Sequence, residues 1–205
     1  MSNLIATHHI IDTTTQTCID QSTSIQPIVK GQGIIIVGGS GAGKTTLGKH
    51  LANVMELPFI DSDNLIELTS RDTIANIFNY HKEIGFRWLE AQAICNCLKN
   101  HCIISLGAGA MEDKKTRELI NKSGFIALWL DESPNTAWTR IAGDQSRPLV
   151  TTYDQFLARW TKRIPAWSEA KKIFPSKLSP YSLAKEIAKS YGNLDLKSNL
   201  INKYK

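Results

Sequence analysis

Gly38-Gly39-Ser40-Gly41-Ala42-Gly43-Lys44-Thr45 fits the pattern G-x-x-x-x-G-K-[ST] at every fixed position. Residues of these types at this spacing bind the phosphates of a nucleoside triphosphate. The glycines let successive backbone N–H groups turn toward an anion, and a helix starting there adds its partial positive charge. Lys44 is placed to reach the β- and γ-phosphates, and the Thr45 hydroxyl to ligate Mg²⁺. The candidate ATP contacts are therefore Gly39, Ser40, Gly41, Ala42, Gly43, Lys44, Thr45 and Thr46. The bland alternative, a glycine-rich turn that merely opens a helix, fits the flanking sequence less well. An apolar, β-branched run (Gly33 to Val37) precedes the loop, and Leu47, Leu51 and Val54 follow it at helical spacing.

Other chemistry-bearing residues follow in order. Asp61 and Asp63 flank Ser62 at the end of a second apolar run. Phosphoryl transfer uses one carboxylate to help hold Mg²⁺, usually through water, and another to orient or deprotonate the acceptor hydroxyl. The simpler reading of Asp63 is a helix cap; both roles are compatible. Arg87 and Glu90 are three apart, the spacing of an ion pair on one helix face. Gly107-Ala108-Gly109-Ala110 follows a third apolar run, and small residues there let a ligand approach the backbone. Arg140 and Arg147 bracket a glycine-containing loop that reads as a mobile lid able to close arginines over phosphates. Arg163 follows Arg159 and precedes Pro165 and Trp167.

Positioning these groups calls for an alternating scaffold. Strands are predicted at 33–38, 58–61, 102–106 and 125–130, with a weaker one at 172–174. Helices are predicted at 44–55, about 82–100, 113–122, 134–142, 153–169 and 180–191. Ser133-Pro134 and Ser179-Pro180 are good helix starts, serine capping and proline entering the first turn. The alternation specifies an α/β fold, a three-layer α/β/α sandwich around a central five-stranded parallel sheet. Ligands of such sheets sit at the carboxyl ends of the strands, where the motifs above fall. Residues 32–191 form the expected domain; 1–31 read as a loosely ordered arm and 192–205 as a polar tail.

Composition narrows the partners. With 42% hydrophobic and 21% charged residues the chain is not globally disordered. No apolar run approaches the ~20 residues that span a bilayer, and no basic-then-apolar leader opens the chain, so a cytoplasmic protein without a membrane partner is expected. The net charge is +5, concentrated late: 11 basic and 3 acidic residues from Arg159 to Lys205, against 13 and 16 before. No interleaved aromatic or nucleic-acid motif accompanies them, so a solvated lysine face is expected and no nucleic-acid partner. Cys95, Cys97 and Cys102 cluster with His101, but Cys95 and Cys97 do not share a helix face, so they read as reduced core residues and not as a zinc site.

The order of motifs resembles the shikimate kinase family of small P-loop kinases. The matching pieces are G-G-S-G-A-G-K-T-T-L-G-K-x-L-A, F-I-D-S-D-x-x-I-E, F-R-x-x-E, L-G-A-G-A, R-x-x-x-x-x-x-R-P-L and R-x-P-x-W-x-E-A, spanning about 33–190. The resemblance implies that Asp61 serves Mg²⁺ through water, and that Asp63 holds the acceptor hydroxyl as base or orienting group. It implies that Arg87 and Arg163 grip a substrate carboxylate with Glu90 steadying Arg87. Gly107, Ala108 and Gly109 would bring backbone to the substrate, Arg140 would approach ATP, and Arg147 would descend from the lid as a third catalytic residue beside Lys44 and Asp63. Arginine forks suit a carboxylate and acidic side chains suit hydroxyls.

Three departures from the family pattern stand out. Ala108 replaces the middle glycine of a triplet, where a methyl group would intrude if the backbone needed φ > 0 or substrate packed on that Cα. Trp167 replaces a tyrosine. About thirty residues precede the compact pattern. The expected activity is ATP-dependent phosphorylation of the 3-hydroxyl of shikimate by a monomer using ATP and Mg²⁺. Another small-molecule kinase, such as a gluconate kinase, and a non-catalytic nucleotide-binding regulator are the alternatives. The presence of Lys44, Thr45, Asp61 and Asp63 argues against the regulator.

Overall fold

Ile34, Ile35, Ile36 and Val37 point to alternate faces, so a strand carrying them is stable only when both faces are covered. In the structure, a computed structural model describing residues 32–143, 152–175 and 178–191, all four are essentially inaccessible to solvent. They belong to β1 (Gly33–Val37), the centre of a five-stranded, wholly parallel sheet in the order β2-β3-β1-β4-β5. The other strands are β2 (Phe59–Asp61), β3 (Cys102–Ser105), β4 (Ile126–Leu130) and β5 (Lys171–Ile173). The helices are α1 (Lys44–Met55), α2 (Ser62–Ser70), α3 (Ile74–Cys97), α4 (Lys114–Ser123), α5 (Pro134–Ile141), α6 (Tyr153–Trp167) and α7 (Pro180–Tyr191). The expected arm, the tail and Arg147 with its lid loop lie outside the described residues.

Register decides what meets at the top of this sheet. Ile36 of β1 pairs with Ser105 of β3, and Ser105 pairs with Asp61 of β2. The three strands therefore end level, and the segments after Val37, Asp61 and Ser105 emerge side by side. Below them α1 packs on the sheet through Leu47, Leu51 and Ala52, and Gly48 lets it come close. A Cβ there would sit 2.4 Å from the Phe59 ring. Cys97 and Cys102 are in the same core; burial pushes their thiols up to about 11 and about 12, so both stay protonated at neutral pH.

The serine caps form as expected: Ser133 accepts the Thr136 N–H, and Ser179 accepts the Ser182 N–H. Two features differ from the expectation. First, a helix spans Ser62–Ser70, and α3 begins at Ile74, well before residue 82. The first stretch is mostly polar, and neither shows a sustained helical apolar spacing. They are helical because capping by Asp61 and Thr73 and the small cluster of Ile66, Ile77, Phe86 and Ala93 make them so. Second, residue 82 marks an interruption and not a start. Lys82 has φ 57° and ψ −173° inside α3, a conformation essentially reserved for glycine. The break starts a fresh helical turn at Glu83, four residues before Arg87. Lys82→Gly is expected to stabilise the fold by about 1 kcal/mol and raise the melting temperature by roughly 2–4 °C. An unchanged or lower melting temperature in a calorimetric scan would contradict this account of the bend.

A monomer is expected of a chain without a large exposed apolar stripe. Leu68, Tyr80 and Ile84 on the α2–α3 pair are at least three-quarters exposed, which removes that ground. Among the described residues no helix is long and apolar enough to cross a membrane.

Candidate functional site

The phosphate loop is shaped by where its glycines must go. Gly41 (φ 79°) and Gly43 (φ 97°) take left-handed conformations, and Gly43 caps α1 with no side-chain bond. The opening N–H groups of α1 are thus left facing outward with the helix dipole behind them. Gly39 is needed for space instead: a Cβ would lie 1.8 Å from the ring of Trp160, which packs against the loop from α6. The Lys44 ammonium donates to the Gly39 carbonyl at 2.9 Å and so lies along the loop. Ser40 is half-buried and Thr46 exposed on the first helical turn. From α5, Arg140 donates through Nη1 to the Gly41 carbonyl at 2.9 Å and pairs through Nη2 with Glu132 at 3.0 Å.

Beside the loop stands the acidic pair. Asp61, not Asp63, is the cap of α2: its Oδ1 accepts the Asp63 backbone N–H at 3.1 Å. Its Oδ2 accepts the Thr45 hydroxyl at 2.7 Å, so the loop threonine and the first carboxylate touch. Asp63 lies in the first turn of α2 with its side chain turned toward the segment after β3, near Gly107. A methyl group on Gly107 would lie 2.6 Å from Asp63 Oδ1 and 3.0 Å from Glu90 Oε1. Ser62 fixes that approach, its fully buried hydroxyl accepting the Gly107 N–H at 2.9 Å.

The arginines close the other side. A methyl group on Gly109 would lie 2.6 Å from Arg87 Nη2 and 3.1 Å from Arg163 Nη2, so two guanidinium groups from α3 and α6 converge on one glycine. Gly109 has φ −96°, and neither Gly107 nor Ala108 is left-handed. The triplet therefore needs glycine at 107 and 109 for room and not for backbone freedom, which is why Ala108 is accommodated. Trp167, 1% exposed, donates its indole N–H to the Ala108 carbonyl at 3.2 Å and stacks edge-on to Trp160. Its ring thus ties the triplet to α6.

Electrostatics follow from burial. Arg87 pairs with Glu90 at 2.7 Å and with Glu83 at 3.2 Å. Burial opposes the Arg87 charge, but these carboxylates outweigh it and hold the guanidinium above its ordinary range. Glu90 is 3% exposed, and its Oε1 has no hydrogen-bond partner among the described residues. Burial pushes its carboxyl up to about 7, with Arg87 working against the shift and Asp63 adding to it. Arg163 donates through Nε to Glu112 Oε1 at 2.7 Å.

All the sequence-derived candidates among the described residues thus fall along one line, from the phosphate loop through Asp61 and Asp63 to Gly107, Gly109 and the arginines. Ser62, Trp160 and Glu112 were not read from the sequence as site residues. Ser62 could have been suspected from lying between two aspartates; Trp160 and Glu112 have no local signal, since Trp160 meets Gly39 from 121 positions away and Glu112 meets Arg163 from 51.

Comparison with known proteins follows the same line. The family model described as "Shikimate kinase" matches residues 40–191. The shikimate kinase of Staphylococcus epidermidis is 36% identical over 138 residues, covering 66% of this chain and 81% of that protein. That of Brucella canis is 34% identical over 135 residues, covering 65% and 67%. Among solved structures, shikimate kinase from Acinetobacter baumannii in complex with shikimate superposes with a TM-score of 0.74 at 29% identity, covering 82% of this chain and 97% of that one. Shikimate kinase from Bacteroides thetaiotaomicron gives 0.66 at 28% identity, covering 78% and 98%. Matched by the family's model over most of its length and by relatives more than a third identical, the chain belongs to the shikimate kinase family.

Proposed function

We propose that this chain transfers the γ-phosphoryl group of ATP to the 3-hydroxyl of shikimate, giving shikimate 3-phosphate and ADP. The observation that carries this reading is the convergence on Gly109 of two guanidinium groups, two residues from Gly107, which Asp63 approaches, while Asp61 touches Thr45 of the phosphate loop. Shikimate is a small monoanion with several hydroxyls, and this arrangement offers forks for a carboxylate and carboxylates for hydroxyls.

The residues then divide the work. Backbone N–H groups from Gly39 to Thr46 and the Lys44 ammonium hold the triphosphate, with Arg140 fixed alongside by Glu132. Arg87 and Arg163 anchor the acceptor carboxylate, so its hydroxyl is presented to Asp63. Asp63 orients that hydroxyl and takes its proton as the oxygen attacks phosphorus in line. The touching Thr45 hydroxyl and Asp61 carboxylate are hard oxygen donors that suit Mg²⁺, Asp61 through water. Bound there, Mg²⁺ would neutralise charge on the β- and γ-phosphate oxygens. Arg147 would add charge from the lid as it excludes water. A cytoplasmic location completes the reading; with Leu68, Tyr80 and Ile84 exposed, sedimentation at working concentration is the check on the expected monomer. The test of function is ADP release with shikimate set beside gluconate. Turnover with shikimate alone supports the reading; turnover with gluconate alone, or ATP binding without any turnover, defeats it.

The Glu90 carboxyl makes a pH prediction. Below about pH 7 it carries a proton, and its charged pairing with Arg87, which orients that guanidinium, is weakened. Turnover is expected to rise through pH 7, and that inflection to vanish in Glu90→Gln. Stability runs the other way. A carboxyl raised above its unfolded value favours the fold most at acid pH, below about 4.5, and that contribution declines as pH rises through 7. A Glu90→Gln profile with the wild-type inflection intact would reassign the titration.

A further inference from the structure

Two guanidinium groups brought to one glycine repel each other, and an anion of the protein placed beside them offsets that repulsion. Glu112 is in position to do so. Its Oε1 accepts Arg163 Nε–H at 2.7 Å and lies 3.8 Å from Arg87 Nη2; its Oε2 lies 3.3 Å from Lys162 Nζ. We infer that Glu112 is a positioning residue of the acceptor site, holding Arg163 by its Nε edge so that its Nη edge faces the substrate carboxylate; this rests on the acceptor reading above.

Three observations support it. The first is edge selection. Arginine presents two hydrogen-bonding edges, and Glu112 takes the Nε donor while Nη2 stays against Gly109, beside Arg87. A carboxylate that merely filled the substrate's place would take the Nη donors of Arg163, whereas Glu112 takes Nε. The second is anchorage. Glu112 sits in a short 3-10 turn (Ala110–Glu112) that continues the Gly107–Gly109 segment, and its backbone N–H donates to the Gly109 carbonyl at 2.9 Å. Arg117 clamps the same turn, donating to the Met111 and Glu112 carbonyls at 2.7 and 3.0 Å and pairing with Glu169 just past α6 at 2.8 Å. Glu112 thus joins the turn that receives the acceptor to the helix that supplies Arg163. The third is charge. Burial opposes the Glu112 anion, but bonds and charges from Arg163 and Lys162 overcome it and hold the carboxyl below its usual range. It is therefore an anion at working pH, offsetting the mutual repulsion of the arginines before substrate arrives.

The test is a split in kinetic constants on the full chain. Glu112→Ala is expected to raise the shikimate KM about tenfold, while the ATP KM and kcat stay within about threefold. Glu112→Gln keeps an acceptor oxygen for Arg163 Nε and is expected to fall between wild type and alanine, which general destabilisation would not produce. Lys162→Ala, on the exposed side of the same carboxylate, should change the shikimate KM less than twofold. A shikimate KM within twofold of wild type in both Glu112 variants overturns the inference. So does a lowered KM, which would make Glu112 a competitor of the substrate. If alanine does not fold, the isosteric glutamine variant decides alone: a KM raised two- to fivefold supports the role, and an unchanged or lower one refutes it. Failure of the acceptor reading looks different, because wild type itself would then not turn over shikimate.

Discussion

Asp63→Asn is expected to lower turnover by about 10²–10⁴-fold, the range for losing a positioned general base, while ATP affinity stays near wild type. The fold should tolerate the change. The bond that starts α2 uses the Asp63 backbone N–H, donated to Asp61, and asparagine keeps it. Asparagine also keeps the size of the side chain that approaches Gly107. What it loses is the ability to take a proton from the acceptor hydroxyl. The Thr45–Asp61 contact, on the nucleotide side, is left alone. Steady-state kinetics with shikimate together with a nucleotide-binding titration make the check. Turnover within threefold of wild type would move the base elsewhere.

Arg163→Ala should act on the other substrate. Hydrogen bonds to a charged partner contribute about 1.5–3 kcal/mol, so the shikimate KM should rise roughly ten- to hundredfold with the ATP KM nearly unchanged. Arg163 sits on α6 after Trp160, which covers the phosphate loop, but its own contacts are to Glu112 and the space beside Gly109. Truncation leaves Glu112 with Lys162 at 3.3 Å, so the carboxylate is not stranded. The prediction is therefore about binding and not about folding. An equal rise in both KM values, or a collapse of kcat alone, would place Arg163 on the phosphates instead.

The two arms of the site were legible to different degrees. The nucleotide arm is local: a strand, a loop and a helix within about twenty-five residues, each coded by glycine, lysine and β-branched runs whose conformational limits are severe. The acceptor arm is assembled from α2, α3, the turn after β3 and α6. Its separate pieces, Arg87 with Glu90 and the small-residue triplet, were each weak signals. Their order along the chain and the family resemblance gave them meaning, and only the fold set them side by side.

Some readings changed for physical reasons. Asp63 was a reasonable cap, but the β2 register places Asp61 at the strand's last residue, where its carboxylate reaches back to the next free N–H. The sequence reading starts this helix at about residue 82; α3 begins at Ile74, and Lys82 is its bend and not its beginning. Ala108 looked like an intrusion because a glycine triplet suggests backbone freedom. The dihedral angles show that the requirement is clearance, at 107 from two carboxylates and at 109 from two guanidinium groups, and residue 108 is outside both.

By itself, then, the sequence determined the phosphate loop, the alternation that demands a parallel sheet and the residue types that suit a hydroxylated monoanion. These are consequences of short-range sterics and periodicity. Tertiary structure alone decided that Glu112 meets Arg163, that Trp160 lies on Gly39 and that Ser62 holds Gly107. Each of those contacts spans dozens of residues, and nothing in local propensity records which distant side chain will arrive at a given backbone.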